Sequence, residues 1–362
     1  MSTLASWAPF IVSFVLSVLG TPLVILLYRK MHWLDDPRKN PHPKMVHSLP
    51  LPRGGGIPIF LSIATAVLLF IPFSKQIAGL LGGALVLTVL GIWDDLKNPH
   101  PLLRFIILII AALIVIGSGV GIAYITNPFG GIVRLDQPQL AFILGGSLHT
   151  IWIIADIFAL VWIVWCMNIV NFATGLDGQM PGYVAIASGV IGLLALRFGS
   201  DPTQIRISTL SMIVAGAYIG LLLWNMYPQK IIAGFGASTL AGFFLSVMAI
   251  FSGAKLATAI LVLAVPMIDA SIVILWRLAH GRSPFFGDRS HLHHLLLDSG
   301  WSKRQVALFY WVATAIFGLF SLQLKSGQKV FIITLAIAII GGIIVWLRYS
   351  TTFFAKSGRG NG

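Results

Sequence analysis

The chain has 362 residues, of which 57% are hydrophobic and 10% charged, with a mean hydropathy of +0.92 and a formal net charge of +13. A soluble domain is about 25% charged, so the composition excludes one and indicates a polytopic membrane protein. The single cysteine, Cys166, excludes a disulfide framework. The positive charge is expected to face anionic lipids and anionic substrates, and no nucleic acid is expected as a partner.

Apolar segments dominate the chain, and a helix needs about 20 apolar residues to cross the hydrocarbon of a bilayer. We identify eleven candidates: 7–28, 56–73, 77–93, 102–126, 150–170, 182–199, 206–226, 232–251, 256–277, 305–323 and 328–347. The predicted fold is all-α, a membrane helical bundle of about eleven transmembrane helices in one domain over 1–350, with a disordered cytoplasmic tail over 351–362. Segment 127–149 is predicted to be an outer loop containing the strand-like "GIVRL".

Lysine and arginine predict the orientation, because they are enriched in cytoplasmic loops. Of the 24 basic residues, 17 fall on one side, in 28–55, 94–104, 227–231, 277–304 and after 347. The N-terminus is therefore predicted outside and the C-terminus inside. The same count makes 28–55 the first cytoplasmic loop.

The first two inner loops carry opposite charges. Lys44, His47 and Arg53 precede a run of three glycines, and the loop is either a flexible positive-inside anchor or a phosphate site that the glycines let the backbone approach. The second loop carries Asp94 and Asp95 at the end of an apolar run, where adjacent carboxylates are unfavourable without a function. All eleven acids of the chain are aspartates, so this pair is a prominent candidate site.

The later inner loops add amides, aspartates and histidines. Asp177 in "GLDG" is either a ligand-binding residue or a turn-forming Asp-Gly. The "HLHH" run is a candidate zinc site, but the rings of His293 and His294 are expected to diverge on a helix. Asp269 lies inside the ninth span and is expected to be functional or to pair with a nearby Arg or Lys.

In this order the loops resemble those of the polyprenyl-phosphate N-acetylhexosamine-1-phosphate transferases, glycosyltransferase family 4. The resemblance runs from about residue 34 to 304 and is carried by "KMVHSLPLPRGG", "DD", "NIVNFATGLDG" and "SPFFGDRSHLHH". The form of the last motif and the absence of a large insertion favour the branch that transfers GlcNAc-1-phosphate over the pentapeptide branch. The family reaction joins polyprenyl phosphate to HexNAc-1-phosphate from a UDP-sugar and releases UMP.

The resemblance implies a role for each motif. Asp94 and Asp95 are expected to be catalytic, Asn171 and Asp94 to hold Mg²⁺ or Mn²⁺, and a homodimer is expected. The expected substrate-binding residues are Lys44, His47, Arg53, Asn168, Asp177, Asp288, Arg289, His291, His293 and His294. The expected partners are UDP-HexNAc, polyprenyl phosphate and membrane lipid. The resemblance also implies an active site on the cytoplasmic face of a bacterial-type plasma membrane and a role in cell-wall or surface-polysaccharide synthesis.

One departure from the family pattern concerns the metal. The family commonly reads G-D-x-G-S where this chain has "GFGAS", so Phe235 replaces an aspartate that binds magnesium. Phenylalanine cannot bind a hard cation. Another oxygen donor replaces the aspartate, or magnesium is held weakly, or the chain is a non-catalytic paralogue that binds polyprenyl phosphate or a nucleotide sugar. A transporter is the remaining class, and it usually places ionisable groups near the midplane in repeated halves.

Overall fold

A computed structural model describes residues 3–39, 45–127, 130–144, 147–252, 256–283 and 289–357. Two predicted site residues, Lys44 and Asp288, lie outside these ranges. Within them the chain forms thirteen helices: α1 Thr3–Lys30, α2 Gly56–Phe70, α3 Lys75–Lys97, α4 Pro101–Gly117, α5 Ile153–Phe172, α6 Gln179–Leu196, α7 Pro202–Asn225, α8 Gly234–Phe251, α9 Leu256–Val262, α10 Ala264–Ala279, α11 Leu292–Asp298, α12 Lys303–Gln323 and α13 Ser326–Ser357. The predicted helical bundle is confirmed, and the domain boundary at 350 stays a prediction.

Eight helices of the described residues are long and apolar enough to cross a membrane, and α9 with α10 adds a ninth if the bent pair is one span. The helices α2 and α4 are apolar but have only 15 and 17 residues. Both are shorter than the roughly 20 residues that a perpendicular span requires. Each of the eleven predicted segments therefore contains a helix, whereas eleven full-length crossings stay a prediction.

The predicted ninth span is not one straight helix. The helices α9 and α10 meet at Leu263 with an 82° bend. Pro266 explains the position of the break, because a proline ring clashes with the carbonyl four residues earlier and donates no hydrogen bond to it. That carbonyl belongs to Val262, the last residue of α9.

Three antiparallel strand pairs lie within the described ranges: β1 Leu34–Asp35 with β2 Leu51–Pro52, β3 Tyr124–Thr126 with β4 Ile132–Arg134, and β5 Gln139–Leu144 with β6 Ser147–Trp152. The strand predicted in "GIVRL" is confirmed as β4. The prediction of helix up to residue 126 is wrong, because α4 ends at Gly117 and Gly119 adopts a φ of +96°. Closely spaced glycines favour a chain reversal there over a continued helix.

Helix α8 lies at the centre of the bundle. In the most apolar 18-residue stretch of α8, 94% of the residues are buried, whereas the corresponding share is 28% in α1 and in α13. A helix that is apolar all round is expected at such a position, and α1 and α13 present apolar side chains to the surroundings of the bundle. The first turn of α8 is consequently enclosed by α2, α3 and α5, and it carries the "GFGAS" segment.

Candidate active site

Two arginines converge on the aspartate pair at the end of α3. Asp94 Oδ1 lies 2.9 Å from Arg104 Nε, and Asp94 Oδ2 lies 3.4 Å from Arg53 Nη2. Arg53 also approaches Asp95, with 3.6 Å between Nε and Oδ1. We call these four residues the aspartate cluster. Both carboxylates are buried, and a buried carboxylate needs such cationic partners to remain charged.

Glycines bring the helices around this cluster into close contact. A Cβ at Gly91 would lie 2.5 Å from the Cα of Gly236, so α3 and α8 touch through their backbones. A Cβ at Gly55 would lie 2.7 Å from the carbonyl oxygen of Ala233. The glycines of the first inner loop and of "GIWDD" are therefore required for packing, and the alternative of a flexible loop does not hold at these positions.

Phe235 lies beside the aspartate cluster on the first turn of α8. Its ring faces the guanidinium of Arg104, with 5.6 Å between the ring centroid and Cζ. The side chain is buried. An arginine at this distance over an aromatic face is attracted by the negative face of the ring. Phe235 therefore contacts a cation that is paired with Asp94.

The predicted amide residues differ in their surroundings. Asn171 at the end of α5 accepts a hydrogen bond from the Ser238 hydroxyl at 2.9 Å, which ties α5 to the first turn of α8. Asn168 donates to the Val164 carbonyl of its own helix at 2.8 Å. Asn171 thus contacts α8 at Ser238, which lies about one helical turn, or about 6 Å along the helix axis, after Gly234.

Asp177 pairs with a lysine that the sequence analysis did not single out. Its Oδ1 lies 3.2 Å from Lys303 Nζ, and its Oδ2 accepts from the backbone N–H of Gln229 at 3.3 Å. The next residue, Gly178, has a φ of +72° and is the N-cap of α6. Asp177 is therefore both the turn residue and a salt-bridge partner.

The histidines gather around a buried carboxylate in α10. His291 Nδ1 lies 3.0 Å from Asp269 Oδ2, and Asp269 Oδ1 accepts from the backbone N–H of Leu292 at 2.8 Å. The His291 and His293 rings stack at 6.1 Å, and those of His293 and His294 lie 4.2 Å apart. We call Asp269, His291, His293 and His294 the histidine cluster.

Two expectations about this cluster require correction. The rings of His293 and His294 do not diverge. Asp269 pairs with a histidine and a backbone N–H where an Arg or Lys was expected. Within the described part of the chain, no group of three or more His, Cys or Asp side chains is arranged to hold a metal ion, so the zinc alternative receives no support.

Further arginines surround the loop before α11. Arg277 Nη2 lies 3.3 Å from the Ser290 hydroxyl, and Arg348 Nη2 donates to the Ser290 carbonyl at 3.2 Å. Arg289, expected to bind substrate, pairs with Asp298 at 2.5 Å. The sequence analysis used Arg277 and Arg348 only to predict orientation. Their positions in the C-terminal parts of α10 and α13 were the available signal.

A chain of contacts connects the two clusters. The Phe172 and His291 rings stack at 5.7 Å, and a Cβ at Gly175 would lie 2.7 Å from His293 Nε2. Because Asn171 precedes Phe172 and bonds to α8, the chain of contacts runs from Asp95 through α8 and α5 to His291. His47 is half-buried, and within the described ranges its Nε2 makes no hydrogen bond.

Known proteins match the chain over most of its length. Residues 77–253 match the sequence model described as Glycosyl transferase family 4. The chain is 30% identical over 339 residues to the decaprenyl-phosphate N-acetylglucosaminephosphotransferase of Mycobacterium tuberculosis (strain ATCC 25618 / H37Rv), covering 84% of this chain and 80% of the relative. It is 28% identical over 346 residues to the probable undecaprenyl-phosphate N-acetylglucosaminyl 1-phosphate transferase of Bacillus subtilis (strain 168), covering 94% and 89%.

A second group of relatives has a different substrate in its name. The phospho-N-acetylmuramoyl-pentapeptide-transferase of Bacillus subtilis (strain 168) is 25% identical over 332 residues, covering 87% of this chain and 96% of the relative. The family match includes α3, α5 and α8, which carry Asp94, Asn171 and Phe235.

Proposed function

The chain belongs to glycosyl transferase family 4 and is a transferase, and we propose that it moves HexNAc-1-phosphate, GlcNAc-1-phosphate in first place, from a UDP-sugar to polyprenyl phosphate. The observation that carries the proposal is the chain of contacts that joins the aspartate cluster, Asn171 and the histidine cluster. Its two carboxylates and several arginines suit a reaction among anionic phosphates, in which positioning and charge stabilisation supply most of the catalysis.

In the proposed reaction a phosphate oxygen of the lipid attacks the β-phosphorus of the UDP-sugar. A new P–O–P bond joins lipid phosphate and sugar phosphate, and the bond between the β-phosphorus and the oxygen bridging to the α-phosphorus breaks. UMP leaves with that oxygen. If the lipid phosphate still carries a proton, a carboxylate takes it, which contributes modestly because a phosphate near neutral pH is already largely deprotonated.

The geometry separates the proposed roles of the two aspartates. Asp94 faces both arginines and fixes their positions. Asp95 makes a longer contact with Arg53, lies near the Tyr28 hydroxyl, and borders a narrow crevice with Gly56, Gly91 and Gly236. We assign proton acceptance or orientation of the lipid phosphate to Asp95, and retention of the arginines to Asp94. A route through an aspartyl phosphate uses the same residue as nucleophile.

The histidine cluster is the proposed site of the sugar diphosphate. Arg277 and Arg348 both contact Ser290, the residue before His291, and so place two guanidinium groups beside the histidines. Guanidinium groups bind phosphates through paired hydrogen bonds. Asn168 and Asp177, with Arg289 and the first-loop residues Lys44, His47 and Arg53, complete the proposed binding set, as does Asp288.

The donors for magnesium do not form an open set. Asp94 and Asn171 are the residues expected to hold the ion. Both oxygens of Asp94 lie at ion-pair distance from guanidinium groups, although Oδ1 accepts no hydrogen bond from the described residues, and the Asn171 oxygen accepts from Ser238. A hard divalent cation requires several oxygen donors, and Phe235 offers none. No step of the proposed reaction is therefore assigned to a metal.

We place the site at the cytoplasmic face, because the loops that contribute to it are those rich in Lys and Arg. Helix α2 begins beside this site and α3 ends beside it, as the contacts of Gly56 and Gly91 with Gly236 indicate. A return path of this kind supports eleven crossings with the N-terminus outside. The proposed homodimer and the role in surface-polysaccharide synthesis are supported by the family resemblance alone.

The test is UMP release from UDP-GlcNAc with undecaprenyl phosphate by the purified protein in detergent, with and without Mg²⁺. Release that depends on both substrates supports the proposal. The second candidate, a paralogue that binds these ligands without reaction, is favoured by Phe235. It predicts saturable binding of polyprenyl phosphate or UDP-GlcNAc with no UMP released under either condition.

A further inference from the structure

We propose that Arg104 supplies, next to Asp94, the positive charge that a divalent cation supplies elsewhere in this family, and that Phe235 holds the guanidinium in place. The inference rests on the proposed function and concerns the same site. In this view the chain lacks the metal-binding aspartate because the Arg104 guanidinium takes the place of the divalent cation. The alternatives, weak magnesium binding and loss of catalysis, predict different responses to metal.

Arg104 is fixed on several sides. Its Nε donates to the Pro99 carbonyl at 2.9 Å and lies equally close to Asp94, and its Nη2 donates to Asn98 Oδ1 at 2.5 Å. Asn98 adopts a left-handed conformation with a φ of +44°, which turns the chain from α3 to α4. The α3–α4 turn therefore presents two oxygen acceptors that orient the guanidinium towards Asp94.

Phe235 closes the remaining side of this arrangement. Its ring lies 5.6 Å from Arg104 Cζ, and the first turn of α8 cannot move away because Gly236 is packed against Gly91. A carboxylate at position 235 would be drawn into the same ion-pair network and would offer oxygen to a metal. A phenyl ring instead attracts the guanidinium and repels no neighbour.

Charge balance argues against a metal at this place. Asp94 already faces two guanidinium groups, which do not lose their protons at any physiological pH. A divalent ion next to Asp94 would meet both positive charges at short range, in surroundings of low dielectric constant. Arg104 Nη1 makes no hydrogen bond to any described residue, so its donors are available to a phosphate oxygen.

The first test measures metal dependence in two independent ways. UMP release by the wild type is expected to change less than about twofold between EDTA and Mg²⁺, because guanidinium charge needs no metal. Mn²⁺ titration followed by electron paramagnetic resonance should show no stoichiometric binding to the wild type. Phe235→Asp combined with Arg104→Gln, which adds a carboxylate and removes the competing charge, should bind Mn²⁺, and Phe235→Leu, which removes the ring without adding a carboxylate, should not.

The second test removes the guanidinium. Arg104→Gln should lose at least about 100-fold of its activity in EDTA, the scale of losing one charge-stabilising donor, and should recover part of it in Mg²⁺. If Arg104 had only a structural role, Mg²⁺ would not restore UMP release by the Arg104→Gln variant. The control is Arg134→Gln on β4, outside both clusters, where hydrogen bonds from Arg134 hold the pKa of Asp136 below its ordinary value; its activity should match the wild type.

Three results would overturn the inference: wild-type activity that EDTA abolishes and Mg²⁺ restores, stoichiometric Mn²⁺ binding by the wild type that Asp94→Asn removes, or an Arg104→Gln variant as active as the wild type in EDTA. If the wild type releases no UMP under any condition, the proposed function fails. The Mn²⁺ titrations then still decide the inference, because they require no turnover. If the variant that carries Phe235→Asp does not fold, the Mn²⁺ titration of the wild type decides the inference.

Discussion

The aspartate cluster and the histidine cluster each contain a buried carboxylate, but the partners differ. Asp94 faces two guanidinium groups, which are charged at every physiological pH. Asp269 faces a backbone N–H and an imidazole, of which the first carries no charge and the second can be neutral. The first cluster therefore concentrates charge near the end of a helix, whereas the second fixes the position of a loop.

The difference shows how one site can meet two requirements of phosphoryl transfer. Charge must meet the phosphates, and the groups that hold the leaving nucleotide must be oriented before it arrives. Asp269 lies inside α10 and secures the start of α11 through Leu292. Substitutions in the first cluster should therefore affect turnover with the fold retained, and substitutions of Asp269 should affect both.

The largest effect is expected for the aspartate pair. Asp94→Asn and Asp95→Asn should each reduce UMP release by at least about 10³-fold, because each removes a negative charge from the reacting groups or their arginines. Elution in size-exclusion chromatography should remain that of the wild type. The matched control is Asp156→Asn in α5, whose carboxylate accepts from the backbone N–H of Trp152. Wild-type turnover in both cluster variants would refute the assignment.

The second effect separates position from charge. Asp269→Ala should lower the free energy of unfolding by about 3 kcal/mol, since it leaves the Leu292 N–H and His291 without their buried partner. Activity should fall about 100-fold through displacement of His291. Asp269→Asn keeps an acceptor for Leu292 and should lose only about 1 kcal/mol. Thermal unfolding in detergent, monitored with turnover, measures both.

An Asp269→Ala protein with wild-type thermal stability would contradict the anchoring role. Equal losses of stability in the Ala and Asn variants would show that the carboxylate charge, and not the acceptor for Leu292, is required. Either result would remove the distinction between the two clusters.

The sequence predicted the helices and the loops of this site better than the contacts within it. Apolar length alone locates α8, but it cannot distinguish a strand from a helix, so β3 was expected to be helical. The loop with Asp94 follows from its charges. Arg104 is one of many basic residues near helix ends, and its partner is decided by the turn at Asn98 and by the packing of Phe235.

The third prediction tests the shared arginine of the aspartate cluster. Arg53 contacts Asp94 and Asp95 through two different nitrogens of its fork. Lys has one nitrogen and cannot make both contacts, so Arg53→Lys should lower turnover about tenfold while retaining the charge. Arg53→Gln should lower it further. Lys and Gln variants with equal activity would show that the fork, and not the charge, is the contribution of Arg53.

The smallest effect is expected where α8 joins the two clusters. Ser238 donates to Asn171, and this bond ties α5, which contacts His291 through Phe172, to the helix beside Asp95. Ser238→Ala should lower UMP release about threefold, the scale of one hydrogen bond. The matched control is Ser246→Ala on the same helix, because Ser246 is buried as well and bonds to the Phe243 carbonyl of α8 itself. Equal losses in both variants would indicate a general effect on α8, whereas a loss confined to Ser238→Ala would show that the clusters depend on each other through Asn171.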